Sequence, residues 1–147
     1  MVSSYIYYER YVHVDVVVPV KYAQQVLFNI YVPKKIPAGF SLNPRNFEVK
    51  DGDVLLFEIN NKNNDNIVFS EQAIPSGFDF DDFYQQYMAN LVNLQGTPYK
   101  SVAGNVADSN RKLLSITAND TWILITTPRS ITVSDLQFIA NNIVRQN

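Results

Sequence analysis

The 147-residue sequence is 46% hydrophobic with a formal net charge of −2, so it has the length and apolar content of one folded domain rather than a disordered chain. Its few basic residues form pairs, such as Lys34 and Lys35, and not stripes, which excludes the concentrated basic face of a nucleic-acid-binding domain. The absence of cysteine excludes disulfides, thiol chemistry and cysteine-based zinc sites.

The chain begins with an extended segment. Tyr5 to Val18 is rich in tyrosine and valine and places alternate side chains on opposite faces, which predicts a strand. A tether leading into the domain fits the first part of this segment equally well. Pro19 ends the segment, and residues 20–27 contain helix formers that predict a short helix. We therefore divide the chain into an N-terminal strand or tether, residues 1–18, and a single domain, residues 19–147.

A proline-containing segment, Tyr31 to Leu42, comes next. Pro33 and Pro37 hold the backbone extended, because proline fixes its own φ and disfavours the helical conformation for the preceding residue. Gly39 then allows a sharp turn, and Phe40 and Leu42 begin the first strand of the predicted sheet. The pattern IPAGF of residues 36–40 returns as IPSGF in residues 74–78, which we interpret as a shared turn signal more than a duplication.

Three strands are predicted after this segment. Ser41 to Lys50 and Asp53 to Asn60 flank the dipeptide Asp51-Gly52, which is typical of a two-residue type I′ hairpin. A polar loop follows, and Asn66 to Ala73 alternates apolar and polar residues as a third strand.

A helix is predicted from Asp79 to Val92. Asp79 is placed to cap its N-terminus, and Asp81 and Asp82 lie in the first turn, where the helix dipole favours negative charge. The helix presents one apolar stripe at helical spacing, made of Phe80, Phe83, Tyr84, Tyr87, Met88, Leu91 and Val92.

Further strands and a second helix complete the pattern. We predict strands near Tyr99 to Ala103, at Lys112 to Ala118 and at Thr121 to Thr127, and a final helix from Thr132 to Arg145 with capping-box spacing between Thr132 and Asp135. The predicted fold class is α+β: an antiparallel sheet of about five to six strands, with two amphipathic helices packed on one face.

The sequence contains none of the motifs that bind dinucleotides, nucleotides or zinc, or that position a nucleophilic serine. The one histidine, His13, lies beside Asp15 on a predicted strand face, which is more typical of a surface residue than of a catalytic triad. Glu71, with Asp79, Asp81 and Asp82, lacks the spacing of a calcium loop. We therefore predict no catalytic, cofactor-binding or metal-binding residues and expect that the protein is not an enzyme.

Aromatic residues supply the candidate binding surface. Tyr5, Tyr7 and Tyr11 share one face of the N-terminal segment, and Trp122 is the one tryptophan. Tyrosine and tryptophan are enriched in protein interfaces because an apolar ring carries a polar edge. The alternative is that these four residues pack against the sheet.

Two stretches carry a resemblance to a known group of proteins. VLFNIYVPKKIPAGFSL, residues 26–42, and DTWILITTPRSITVSDLQFIANNIV, residues 120–144, resemble the first and last elements of bacterial extracytoplasmic domains that are tethered by one membrane segment. Some of these domains accompany anti-sigma factors, and most have unknown function. The resemblance implies a non-enzymatic sensor or interaction domain outside the cytoplasm, and it transfers no functional residues.

The expected function is therefore that of a non-catalytic extracytoplasmic sensor or interaction domain, the soluble part of a single-pass membrane-anchored bacterial protein, binding a protein or cell-envelope ligand. The sequence itself has no apolar run of membrane-spanning length and does not start as a signal peptide does, so the anchor would lie outside it. Two alternatives remain open, a small hydrolase that uses carboxylates as acid and base, and a structural or assembly subunit.

Overall fold

A computed structural model describes residues 10–146. The elements within that range, in chain order, are β1 (Tyr11–His13), α1 (Val20–Ala23), β2 (Tyr31–Pro33), β3 (Lys35–Pro37), β4 (Ser41–Leu42), β5 (Glu48–Lys50), β6 (Val54–Asn60), β7 (Asn66–Ala73), α2 (Phe80–Tyr87), β8 (Met88–Leu94), β9 (Lys100–Val106), β10 (Arg111–Ala118), β11 (Thr121–Pro128), α3 (Val133–Asn141) and β12 (Ile143–Arg145).

The central element is an eight-stranded antiparallel sheet. Its strand order is β4-β6-β7-β11-β10-β9-β8, and β5 pairs with β6 beside β4. Strand content is 45% and helix content 15%, so the predicted α+β class is wrong and the fold is mostly β. The sheet is larger than the predicted five to six strands for two reasons. Residues expected to extend a helix form the edge strand β8, and the predicted strand from Ser41 to Lys50 is two short strands, β4 and β5.

The hairpins follow the predicted turn chemistry. Asp51 and Gly52 both have positive φ, as a type I′ turn requires. The predicted two-residue loop is wrong, because Lys50 pairs with Val54 and Asp53 therefore belongs to the loop as well. Asn119 also has positive φ, in the turn between β10 and β11. The predicted third strand is confirmed as β7, with Ile67 and Phe69 buried on one face.

The two longer helices cover opposite faces of the sheet, and not one face as predicted. Leu114 and Ile116 of β10 belong to the main core with Leu136 and Ile139 of α3. Leu113, which points to the other face of β10, belongs to a second apolar cluster with residues of α2. The sheet is therefore buried on both sides, at least over β9 and β10.

A β-bulge in β8 decides which face its side chains reach. Ala89 pairs with Asn105 and Val92 with Ala103, so two residues of β8 lie opposite Gly104 alone. Asn90, in the bulge, has positive φ. A Cβ at Gly104 would lie 2.8 Å from the carbonyl oxygen of Ala89, so glycine is required for this close approach. The bulge reverses the alternation, and Met88 joins the α2 side while Leu94 joins the main core.

The final helix is shorter than predicted. The predicted capping box between Thr132 and Asp135 is confirmed, but α3 ends at Asn141. Residues 143–145, predicted as its last turn, instead pair as β12 with β2. Ile143 and Val144 are β-branched and fit an extended strand better than a helix terminus.

The proline-containing segment is extended as predicted, and it forms β2 and β3. β3 pairs with β1. Of the predicted strand from Tyr5 to Val18, the described part therefore forms a strand over residues 11–13. Val16 and Val18 are buried in the main core. Residues 1–9 lie outside the described range, and the division at residue 18 stays a prediction. Across residues 10–146, none of the helices is both as long and as apolar as a transmembrane helix must be.

Candidate binding groove beside helix α2

A turn and a helix cap set the position of α2. The amide of Phe78 donates to the carbonyl of Pro75 at 3.2 Å, and Gly77 has the positive φ that this turn needs. The Asp79 side chain accepts a hydrogen bond of 3.0 Å from the amide of Asp82, which confirms the predicted cap. The turn and the cap together aim the aromatic residues of this segment at the sheet.

Trp122 is the centre on which these aromatic rings pack. Its side chain is only 3% exposed, and the ring centroids of three phenylalanines lie close to it. These distances are 4.7 Å for Phe78, 5.3 Å for Phe80 and 5.0 Å for Phe83. Edge-to-face and tilted pairs of this kind add to the energy of burial. We call the rings of Phe78, Phe80, Phe83, Tyr84, Tyr87 and Trp122 the aromatic cap.

Ser115 of β10 fixes the aromatic cap to the sheet. Its hydroxyl oxygen accepts a hydrogen bond of 2.9 Å from Nε1 of Trp122. The hydroxyls of Ser115 and Tyr84 are also hydrogen-bonded, at 2.9 Å. Burial raises the pKa of Tyr84, and the charge of Asp81 raises it further, while the bond to Ser115 acts in the opposite direction. The polar edges of both large rings are thus satisfied inside the protein.

The outer side of the aromatic cap borders an open groove of about 470 Å³, which we call the α2 groove. It is lined by residues 75–79 and by Asp82, Phe83, Gln86 and Tyr87. Tyr87 is 53% exposed, so the groove contains a large ring that is open to solvent beside polar residues. Exposed aromatic side chains that polar residues border are a common feature of protein interaction sites.

The groove carries negative charge. Asp79 and Asp82 are its acidic residues, and no Lys, Arg or His is among the described residues that line it. Within residues 10–146 the ion pairs are Arg10–Asp135 and His13–Asp15, so neither groove carboxylate has a cationic partner there. Nε2 of Gln86 donates to Oδ2 of Asp82 at 2.9 Å, and Oδ1 of the exposed Asp82 has no hydrogen-bond partner among the described residues.

The residues predicted as an interaction surface are not brought together. Trp122 lies buried under the aromatic cap. The ring of Tyr11 stacks on Phe138 of α3, with centroids 3.6 Å apart. Tyr5 and Tyr7 lie outside the described residues. An interface role for these four residues stays a prediction.

Asp135 is the most densely bonded carboxylate of the described chain. It accepts hydrogen bonds from Nε of Arg10 at 2.9 Å, from the hydroxyl of Tyr11 at 2.6 Å, and from both the amide and the hydroxyl of Thr132. Burial acts to raise the pKa of Asp135, but these bonds outweigh it and hold that pKa well below its usual range. The arrangement joins the start of the described chain to α3 and is structural.

Glu71 is a second unusual carboxylate. It is fully buried in β7, and one oxygen accepts a hydrogen bond of 2.8 Å from the amide of Tyr31. The other oxygen has no partner among the described residues. Burial raises the pKa of Glu71 to about 8, although the Tyr31 bond acts to lower it.

Glu71 does not form a catalytic pair with the aspartates of α2. Glu71 shares its face of the sheet with the main core, because its strand neighbour Phe69 belongs to that core. Asp79 and Asp82 lie on the exposed side of α2, across the sheet. His13 is exposed and bonds to Asp15 at 3.2 Å. Within residues 10–146, no three His, Asp or Glu side chains gather as metal ligands do.

Sequence reasoning missed the α2 groove because it assigned Phe83 and Tyr87 to a single buried stripe. The predicted helix and its stripe continue to Val92, but α2 ends at Tyr87. A signal for the groove was present in the sequence: a proline–glycine turn that ends in Phe78, followed at once by a capped, acidic helix start.

Comparison of the chain with known protein families, with curated proteins and with solved structures finds no match.

Proposed function

We propose that the protein is a non-catalytic interaction domain that binds a segment of another protein in the α2 groove. The observation that carries this proposal is the exposed ring of Tyr87, which packs beside Phe83 in a groove that Asp79 and Asp82 also line. Aromatic side chains that combine exposure with rigid support are the residues on which binding energy concentrates in protein interfaces. The groove is open and not enclosed, which suits a protruding segment better than a small substrate.

The side chains of the groove are already ordered, so binding a partner would cost little conformational entropy. Phe83 contacts Trp122 and lies 5.0 Å from Tyr87 between ring centroids, so the exposed ring rests on a fixed partner. A partner that docks on side chains already held in place loses less conformational entropy than one that must order them.

The proposal is tested by selection from a library of random dodecapeptides on the immobilised domain. We expect enriched peptides whose binding is lost in Tyr87→Ala and kept in Leu27→Ala, a truncation of the most exposed large apolar residue within residues 10–146. Enriched peptides that bind both variants equally, or a library without enrichment, would contradict the proposal. Circular dichroism of both variants checks that the fold is kept.

We propose further that the domain lies outside the cytoplasm and is tethered through a membrane segment that is not part of these 147 residues. The support is the resemblance of residues 26–42 and 120–144 to bacterial extracytoplasmic domains, together with the absence of cysteine. A fusion of the complete gene product to a phosphatase that is active only after export tests the location. Activity in whole cells is the expected result, and an inactive, stable fusion would contradict it.

A further inference from the structure

The α2 groove has an apolar floor that suits an aliphatic side chain. Phe78 and Phe83 are half-buried, and their centroids lie 6.0 Å apart. Both rings rest on Trp122, so the floor is fixed from below by the sheet. A leucine-sized side chain placed on these rings would exclude water from apolar surface on both partners.

The charge at the groove determines which charge on a binding partner is favoured. Asp79 and Asp82 contribute two carboxylates, and Asp81 adds a third on the adjacent side of the same helix turn. The N-terminus of α2 opposes them with only about half a positive charge. The net field at the groove is therefore negative, which favours a cation and repels an acidic segment.

From these two properties we infer that the α2 groove takes a polypeptide segment of a partner protein in which an arginine or lysine stands beside an aliphatic residue. This inference rests on the proposed function and names the chemistry of its partner. The aliphatic residue covers Phe78 and Phe83, and the cation approaches Asp82 and the face of Tyr87.

The structure provides two contacts for that cation. The free Oδ1 of Asp82 offers a charge-assisted hydrogen bond. The Tyr87 ring, 53% exposed, offers its face for a cation–π contact. Arginine fits better than lysine because its planar guanidinium can stack on the ring while its N–H groups reach the carboxylate.

The test uses acetyl-glycyl-arginyl-leucyl-glycine amide and two matched peptides, with norleucine or glutamate in place of arginine. Binding to the ¹⁵N-labelled protein is followed by amide shifts up to ~10 mM peptide, which detects millimolar affinity. We expect the arginine peptide to shift the amides of Asp82, Gln86 and Tyr87, and to bind at least about threefold more tightly than the norleucine peptide.

Two variants locate the charge effect on one carboxylate. Asp82→Asn should weaken the binding of the arginine peptide by about threefold, while Asp81→Asn, which removes a more distant charge, should weaken it less. Asp81 is a matched control because it lies in the same first turn of α2 but does not line the groove. Raising the salt from ~50 mM to ~500 mM should reduce the difference between the arginine and norleucine peptides.

The outcomes separate the two proposals. Equal binding of all three peptides at the groove would overturn the charge inference and leave the proposed function standing. Shifts confined to other parts of the protein, or no shifts with any peptide, would overturn both. Tighter binding of the glutamate peptide would show that the groove prefers a negatively charged partner, contrary to the inference.

Discussion

Tyr11 and Asp135 are joined by a hydrogen bond of 2.6 Å from the tyrosine hydroxyl to Oδ1, although they lie 124 positions apart in the chain. The bond ties the strand β1 to the first turn of α3. The same carboxylate closes the capping box of that helix with Thr132. One side chain thus stabilises both the start of α3 and the closure of the N-terminal part of the domain.

We expect Asp135→Asn to lower the free energy of unfolding by about 1–3 kcal/mol, because the capping box and the buried acceptor for Tyr11 are both weakened. Urea unfolding at pH 7 measures the change. Asp15→Asn is the control, because Asp15 is exposed and bonds to His13 alone among the described residues. Equal unfolding curves for the two variants would contradict a structural role for Asp135.

The same carboxylate predicts sensitivity to acid. The pKa of Asp135 is lowered on folding, so its contribution to stability is present above the ordinary aspartate value of 3.8 and is lost as the pH falls below it. In an acid titration of stability below that value, the wild type should lose more than Asp135→Asn. Parallel acid profiles would show that another group causes the loss.

Glu71 predicts the opposite dependence on pH. Because folding raises its pKa from 4.5 to about 8, the folded state holds the proton more tightly than the unfolded state. Stability from this group is complete below pH 4.5 and falls as the pH rises toward 8, with a limiting slope of about 1.4 kcal/mol per pH unit.

Glu71→Gln tests this dependence, because glutamine keeps an acceptor for the Tyr31 amide and cannot ionise. We expect the variant to match the wild type near pH 4.5 and to exceed its stability at pH 8, measured by urea unfolding at each pH. Glu48→Gln, at an exposed position of β5, should leave the pH profile unchanged. A wild-type profile that stays flat over this range would contradict the prediction.

Ser115→Ala should destabilise the aromatic cap. The substitution removes the partner of both Trp122 Nε1 and the Tyr84 hydroxyl, and a buried polar group without a partner costs about 1–3 kcal/mol. Fluorescence of the one tryptophan, followed through urea unfolding, reports both the environment of the ring and the stability.

Ser101→Ala is the matched control for Ser115→Ala. Ser101 is also buried in the sheet, but its hydroxyl bonds to the carbonyl of Tyr99 alone among the described residues. We expect a smaller loss of stability and an unchanged emission maximum for this control. The same emission maximum and the same unfolding midpoint in both variants would contradict the role of Ser115 in holding the aromatic cap on the sheet.

Gly104→Ala should destabilise the bulge in β8. The added methyl would lie 2.8 Å from a backbone oxygen that cannot rotate away, and overpacking of this kind costs about 1–3 kcal/mol. Lys100→Ala, at an exposed position of β9, is the control. Hydrogen exchange of the β8 and β9 amides should become faster in Gly104→Ala and stay unchanged in the control. Unchanged exchange in both would show that β8 accommodates the methyl.

Local signals were sufficient for the central strands. The third strand is as predicted, and the pair β10 and β11 around Asn119 differs from its predicted bounds by one residue at two ends. β7 alternates buried and less buried residues, and β10 and β11 are rich in β-branched and apolar residues around a turn that contains asparagine and aspartate. Both the periodicity and the turns lie within a few residues, so the sequence alone specifies them.

The ends of the helices could not be predicted in the same way. Met88, Leu91 and Val92 continue the helical spacing of α2, and nothing local shows that these residues pair with β9. These residues form a strand instead of extending the helix because Gly104, on the neighbouring strand β9, leaves room for the bulge. Residues 143–145 become a strand for a similar reason, their pairing with β2. The α2 groove depends on the contact between Phe83 and Trp122, which only the assembled sheet creates.

The β-bulge in β8 also hinders aggregation through the edge of the sheet. β8 is the last strand of the order and carries no charged residue, so a straight β8 would invite a second chain to add a strand and begin a fibril. The bulge at Asn90 and Leu91 interrupts the backbone N–H and C=O groups along the free edge of β8. It leaves two regular segments, Met88–Ala89 and Val92–Leu94. Neither segment is long enough to template a foreign strand, so concentrated molecules are not expected to polymerise through this edge.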